Sequence, residues 1–310
     1  MQTVLISGGK GLVGKALTKL LNAKGYEVII LSRQLPAANG QLPDTTISYA
    51  KWDVKQQQMD IEALQKADYI IHLAGAGVME KKWTEEYKKE IVSSRTESAK
   101  LIVESLKQNH NKVKAVISAS AIGYYGEDKK DGKFFTEDDP ADNNFLGETC
   151  KLWEESITPV TALNKRLVKL RIGIVLSKSG GALKEFIAPL KLGVAAILGN
   201  GKQMISWIHI DDLCRLFLSA VENENMNGVY NAVAPAPVNN KTLTLTLAKK
   251  MKRLFYIPIY VPVFILKILL GNRSIEILKS ATVSCKKIIA AGFDFKFENI
   301  ETALEDIVKH

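Results

Sequence analysis

Three glycines spaced three apart, Gly8, Gly11 and Gly14, separate a short apolar run, TVLIS at 3–7, from a segment in which Leu12, Ala16, Leu20 and Leu21 return at helical intervals. Gly25 then marks the helix stop. The order is strand, tight turn, helix, and each glycine has a separate physical task in it. The first permits the sharp turn out of the strand, the second lets a bound pyrophosphate approach the backbone, and the third allows the helix to pack close to the strand. Backbone N–H groups at the start of such a helix face an anion. A glycine pattern alone also fits a purely structural turn. Its place after a strand and before an amphipathic helix points to dinucleotide binding, with Ser7, Gly8, Gly11, Leu12, Val13 and Gly14 around the phosphates.

The rest of the chain repeats the alternation. EVIILSR at 27–33, ADYIIHLAG at 67–75, VKAVISAS at 113–120, RLVKLRIGIVL at 166–176 and GVYNAV at 228–233 read as apolar strands. Helical patterns lie between them, in IEALQKA, WTEEYKKEIVSSRTESAKLIVESLKQN, FLGETCKLWEESITPV and DLCRLFLSAVEN. Continuous apolar strands alternating with helices predict an α/β fold, a doubly wound parallel sheet of the Rossmann type covered on both faces. After about residue 235 prolines become frequent and the pattern changes, up to a final helix-like NIETALEDIVKH. The expected organisation is a nucleotide-binding domain over 1–235 and a smaller C-terminal substrate lobe over 236–310, with part of 177–207 folding onto the lobe.

The second strand ends in Ser32-Arg33, where an NAD enzyme places an acid for the ribose hydroxyls. A guanidinium suits a 2′-phosphate through bidentate, charge-assisted bonds. The alternative is a surface arginine at a strand end. The residue types favour NADP(H) over NAD(H).

Composition sets outer bounds. The formal charge of +9 is scattered as Lys-Lys or Lys-Arg doublets without a basic tail, which argues against nucleic acid. Cys150, Cys214 and Cys285 are odd in number, far apart and without C-x-x-C spacing, which suggests neither a disulfide framework nor a zinc knuckle and suits a cytoplasmic protein. His72, His110, His209 and His310 are not at metal-ligand spacing, so no metal is expected. Leu254–Leu270, LFYIPIYVPVFILKILL, is short for a membrane span and contains Pro258, Pro262 and Lys267. It reads as a buried lobe element, the alternative being a peripheral membrane or partner surface.

Six segments in order, SGGKGLVG, HLAGAGVMEKKWTEEYKKEIVSSR, ISASAIGYYGE, LRIGIVLSKSGGAL, SWIHIDDL and AAGFDF, resemble the atypical extended short-chain dehydrogenases/reductases, the NAD(P)-dependent epimerase/dehydratase-like subfamily with a short C-terminal domain. The resemblance spans the whole chain. It implies Asp53 and Val54 near the adenine, and Leu73, Ala74 and Gly75 as a backbone wall along the cofactor. It also implies a small-molecule substrate and a catalytic Ser, Tyr and Lys, the ammonium favouring the phenolate that acts as base. Ser120 and Lys151 suit the first and third roles. The tyrosine position, four before Lys151, is Gly147. Tyr124 and Tyr125 are the nearest replacements, and Glu148 is a further candidate. In SWIHIDDL, Asp212 is expected to cap a helix starting at Leu213 and His209 to sit between domain and lobe. Two readings follow: a reductase or epimerase acting on a small carbonyl or hydroxyl compound, or a catalytically weak NADP(H)-binding sensor. Oligomeric state is left open.

Overall fold

The computed structural model describes residues 1–35, 46–251 and 255–309; Leu254 and His310 lie outside them. The strands, in chain order, are β1 (Thr3–Ser7), β2 (Glu27–Ser32), β3 (Ile47–Asp53), β4 (Gln58–Met59), β5 (Tyr69–His72), β6 (Ala115–Ala121), β7 (Arg166–Ile172), β8 (Ile174–Leu176), β9 (Val194–Leu198), β10 (Met204–Ile205), β11 (Trp207–His209), β12 (Gly228–Ala232), β13 (Val238–Asn239) and β14 (Ile257–Val261). The helices are α1 (Leu12–Ala23), α2 (Ile61–Lys66), α3 (Glu85–Gln108), α4 (Phe145–Ile157), α5 (Ala182–Lys191), α6 (Ile210–Glu222), α7 (Asn240–Lys250), α8 (Val263–Leu270), α9 (Ser274–Leu278), α10 (Lys286–Ala290) and α11 (Ile300–Lys309).

The main sheet has the order β12-β7-β6-β5-β1-β2-β3-β4, parallel throughout except for the short β4. From β1 the chain winds outward to β3 and then returns to place β5 on the other side of β1. This reversal opens a crevice at the carboxyl ends of β1 and β5, where open α/β sheets take their ligands. Period-two alternation sends neighbouring residues of each strand into different cores. Val4 and Ile6 face the layer containing Leu17 and Leu213, whereas Leu5 and Ile70 face the layer containing Leu101 and Ile102.

The remaining strands form short ribbons. β9 pairs with β14 and β10 with β13, so chain from the 177–207 region joins chain from beyond 235. Leu183, Leu190, Trp207, Leu243, Leu247, Ile300 and Leu304 fill a third core there.

Three local expectations change. The run RLVKLRIGIVL is two strands, because a Cβ at Gly173 would stand 2.6 Å from the Ser206 carbonyl oxygen, and beyond this close approach β8 leaves the main sheet to pair with β11. Helix α6 starts at Ile210 with His209 as its cap, and Asp212 instead accepts from the Lys296 and Phe297 N–H groups at 2.9 and 2.8 Å, pinning the C-terminal segment. The apolar stretch after residue 254 is not buried. Phe255 is 89% exposed and Ile268 76%, and only Leu266 of α8 is buried.

Candidate cofactor cleft and active site

The glycine turn is built by close contacts that exclude side chains. Gly8 has a φ of +75°, and a Cβ there would come within 2.8 Å of the Leu73 carbonyl. At Gly14 a Cβ would meet the Gly8 oxygen at 2.4 Å, so α1 lies directly on the turn. Gly11 differs. It is exposed, its φ of −73° suits any residue, and among the described residues only the Gly8 oxygen, at 3.3 Å, lies within 4 Å of its added Cβ. The space beside it is open, which is what an approaching phosphate needs. Thr84 and Asn144 cap α3 and α4 with their side chains, whereas α1 has neither a side-chain cap nor an acidic residue in its first turn. Among the described residues no side chain caps its first N–H groups, which leaves them to an anion.

Beneath the turn lies His72. Its Nδ1 is 2.7 Å from Ser7 Oγ and its Nε2 is 3.3 Å from Ser98 Oγ. Burial, with help from Arg95, pushes the imidazole down to about 3, so it is a neutral bridge joining β1, β5 and α3. The Ser7 hydroxyl is committed to this bridge. Only the backbone of Ser7 is left to the turn.

The wall after β5 is tied to α3. Leu73 N–H continues the ladder to the Ser7 oxygen at 3.0 Å, Ala76 N–H donates to Ser94 Oγ at 2.9 Å, and Arg95 Nη1 donates to the Ala76 oxygen at 3.0 Å. Leu73 and Ala74 are half-buried and Gly75 is exposed, and Gly8 packs directly against the Leu73 backbone.

At the end of β2, Ser32 is buried and donates to the Gln34 oxygen at 2.6 Å, while Arg33 is exposed. Lys10, from inside the glycine turn, donates to the same Gln34 oxygen at 3.1 Å. A second cation thus stands by the strand end, one that the residue pattern alone does not single out; its only signal is a lysine between the first two glycines. Asp53 Oδ1 accepts from Lys55 and Gln56 N–H at 2.9 and 3.1 Å, closing its own turn, and Val54 packs on the core.

At the carboxyl end of β6, Ser120 is buried and its hydroxyl donates to Glu154 Oε1 at 2.7 Å. Glu154 takes a bidentate pair from Arg171, with Nε to Oε1 at 2.8 Å and Nη2 to Oε2 at 3.0 Å. Arg171 Nη1 also donates to the Tyr125 hydroxyl at 2.8 Å, which donates onward to Asn231 Oδ1 at 2.8 Å. Tyr125 is fully buried. Burial pushes its phenol up to about 12, outweighing the opposite pull of Arg171. Tyr124 is half-buried, with the Arg171 guanidinium 3.4 Å from its ring centre. Lys151 and Glu148 are exposed on α4, Lys151 one turn before Glu154. The structure therefore gathers Ser120 and Tyr125 into one buried network and leaves Lys151 on the outer flank of the same helix.

Gly147 cannot carry a tyrosine in this backbone. A Cβ there would stand 2.1 Å from the Asp142 oxygen, where the chain turns into α4 and Asn144 caps the Gly147 N–H at 2.8 Å. The lobe meets this region: Lys279 donates to the Tyr125 oxygen at 3.1 Å and pairs with Glu276 at 2.7 Å, and Thr282 N–H donates to Asp128 Oδ1 at 2.5 Å. His209, its ring centre 3.9 Å from that of Phe297 and tilted by 42°, joins α6 to the C-terminal segment. Among the described residues no group of three or more His, Cys, Asp or Glu could hold a metal, and no helix is long and apolar enough to cross a membrane.

The family model described as NAD dependent epimerase/dehydratase matches residues 4–232. The chain belongs to that family. A second model, a domain of unknown function, matches residues 261–307 of this epimerase-family chain. An epimerase family protein of Staphylococcus aureus is 34% identical over 100% of both chains. Epimerase family protein YfhF of Bacillus subtilis is 34% identical over 98% of this chain and 97% of its own. The human epimerase family protein SDR39U1, solved with NADPH, superposes with a TM-score of 0.86 at 29% identity over 99% of each chain. A nucleoside-diphosphate sugar epimerase from Corynebacterium glutamicum gives a TM-score of 0.77 at 29% identity, over 99% of this chain and 58% of that one. The extended short-chain dehydrogenase/reductase fold and NAD(P) binding are thus properties of the family to which this chain belongs.

Proposed function

We propose that the chain binds NADP(H) in preference to NAD(H) and acts as a reductase or epimerase on a small carbonyl or hydroxyl compound. The observation that carries this reading is the pair Lys10 and Arg33 at the end of β2, beside an open glycine cradle, where the residue an NAD enzyme keeps acidic is a cation. The crystal structure of the human relative contains NADPH, which supports it. The C. glutamicum relative's name makes nucleotide-linked sugars the first substrate class to test.

The cofactor's part is hydride transfer; the chain's part is the proton. Tyr125 is held by Arg171 and Asn231, so its role is to position the loop, and the Ser120 hydroxyl, donating to Glu154, meets a substrate oxygen only as an acceptor. Tyr124 remains as the proton donor, with Arg171 over its ring and Lys151 supplying further positive charge from α4. A sensor with little turnover is the second reading, favoured by the commitment of Ser120 and Tyr125 to internal bonds. Following NADPH oxidation across carbonyl compounds, and epimer formation from nucleotide-linked sugars with NADP+ present, separates the two. Turnover that falls roughly 10²-fold in Tyr124→Phe, with unchanged cofactor affinity, supports the enzyme. Tight NADPH binding without turnover supports the sensor.

A further inference from the structure

Apolar side chains cover the outer face of the lobe. Phe255, Ile257, Phe264 and Leu269 are 89%, 67%, 63% and 63% exposed, and Leu192, next to β9, is 84% exposed. β14 has β9 as its one strand neighbour among the described residues, and α8 buries Leu266 alone. Leu192, Phe255 and Ile257 line one hollow, and Val263 and Leu278 line a second together with Lys202. So many large apolar side chains exposed along one run of a folded chain mark a docking surface.

Its charge selects the occupant. From residue 225 to residue 275 the sequence contains no Asp or Glu. Lys191 precedes exposed Leu192, Lys202 lines the second hollow and Lys267 lies within α8; all three are exposed, and none is paired with a carboxylate of the described residues. Glu276, the next acid along the chain, is already paired with Lys279 at 2.7 Å. A second copy of the chain meeting this face across a twofold axis would set these lysines against their own images. A nucleic acid would answer the lysines but leave the isoleucines and phenylalanines without an apolar partner. A bilayer with anionic headgroups answers both.

We propose that this face, carried by β14, α8 and the turn at Leu192, seats on the surface of an anionic membrane. Phe255, Phe264, Ile268 and Leu269 enter the boundary between headgroups and acyl chains, while Lys191, Lys202 and Lys267 meet lipid phosphates. Exposed Tyr260 suits the same interface. At eight residues, α8 is far too short to span and lies in the plane of the surface.

Flotation of the full chain with vesicles of equal parts phosphatidylglycerol and phosphatidylcholine, against phosphatidylcholine alone, tests the proposal. Binding should be about tenfold or more stronger on the anionic vesicles and weaken in high salt. The triple variant Phe264→Ser, Ile268→Ser, Leu269→Ser should lose about tenfold or more of that binding with unchanged melting and NADPH affinity. Lys267→Glu, a single exposed change, carries the test if the triple variant does not fold, and should also weaken binding. No flotation, equal flotation on both vesicles, or variants that float like the parent would overturn the proposal. So would a dimer in solution that Ile268→Ser dissociates while vesicles remain unbound.

Discussion

Gly147, four residues before Lys151, is where the resemblance leads one to expect an acid/base tyrosine, and the backbone leaves no room for one: the turn into α4 brings the Asp142 carbonyl into the space of a side chain. Gly147→Ala should destabilise the chain by about 1–3 kcal/mol through overpacking, read as a lower melting temperature; unchanged melting would show that the turn yields. His72 makes a pH-dependent contribution. Its folded pKa lies near 3, below the ordinary value of 6.5, so between these limits the unfolded chain holds a proton that the folded chain refuses. Stability should therefore fall as pH drops from about 6.5 toward 3, by up to roughly 1.4 kcal/mol per pH unit within the window. Melting at a series of pH values, with His72→Gln for comparison, measures it; the parent should show the steeper loss, and parallel slopes would remove His72 as the cause. The glycines and Arg33 are legible in the sequence because their meaning depends on neighbours a few residues away. Lys10 is not, since only folding brings it to the end of β2.

The buried network is the element-scale feature that no local pattern could announce. Ser120 on β6, Glu154 on α4, Arg171 on β7, Tyr125 on the intervening loop and Asn231 on β12 meet across up to 106 residues of sequence. Glu154→Gln would leave Arg171 buried without its carboxylate, and should cost about 3–5 kcal/mol. Chemical denaturation is the measurement, and a change under about 1 kcal/mol would mean that the pair is offset by its own desolvation. The strands rich in Val, Ile and Leu are legible from composition. β3 is not, because ISYAKWD alternates partly polar residues near the sheet edge, with only the two-residue β4 beyond it among the described residues. The Phe255–Leu270 stretch misleads for a different reason: apolar composition implies burial only when another element covers it, and the described residues supply none.

At the scale of the whole molecule, the sheet order sets where the candidate cofactor site lies. The reversal of winding at β1 and β5 places the glycine turn against Leu73 and Ala74, and Lys279 and Thr282 of the C-terminal segment brace the loop that carries Tyr124. The alternating pattern makes this sheet legible; the clamp between lobe and loop is not, because its contacts lie about 150 residues apart, as in the 154-residue separation of Lys279 and Tyr125. The cofactor assignment joins all three scales, and calorimetric titration of NADPH and NADH into the parent chain and Arg33→Glu tests it directly. The parent should bind NADPH more tightly than NADH, and the variant should lose about 1–3 kcal/mol of NADPH affinity with NADH little affected. Equal affinity for the two cofactors in the parent, unchanged by Arg33→Glu, would contradict the assignment.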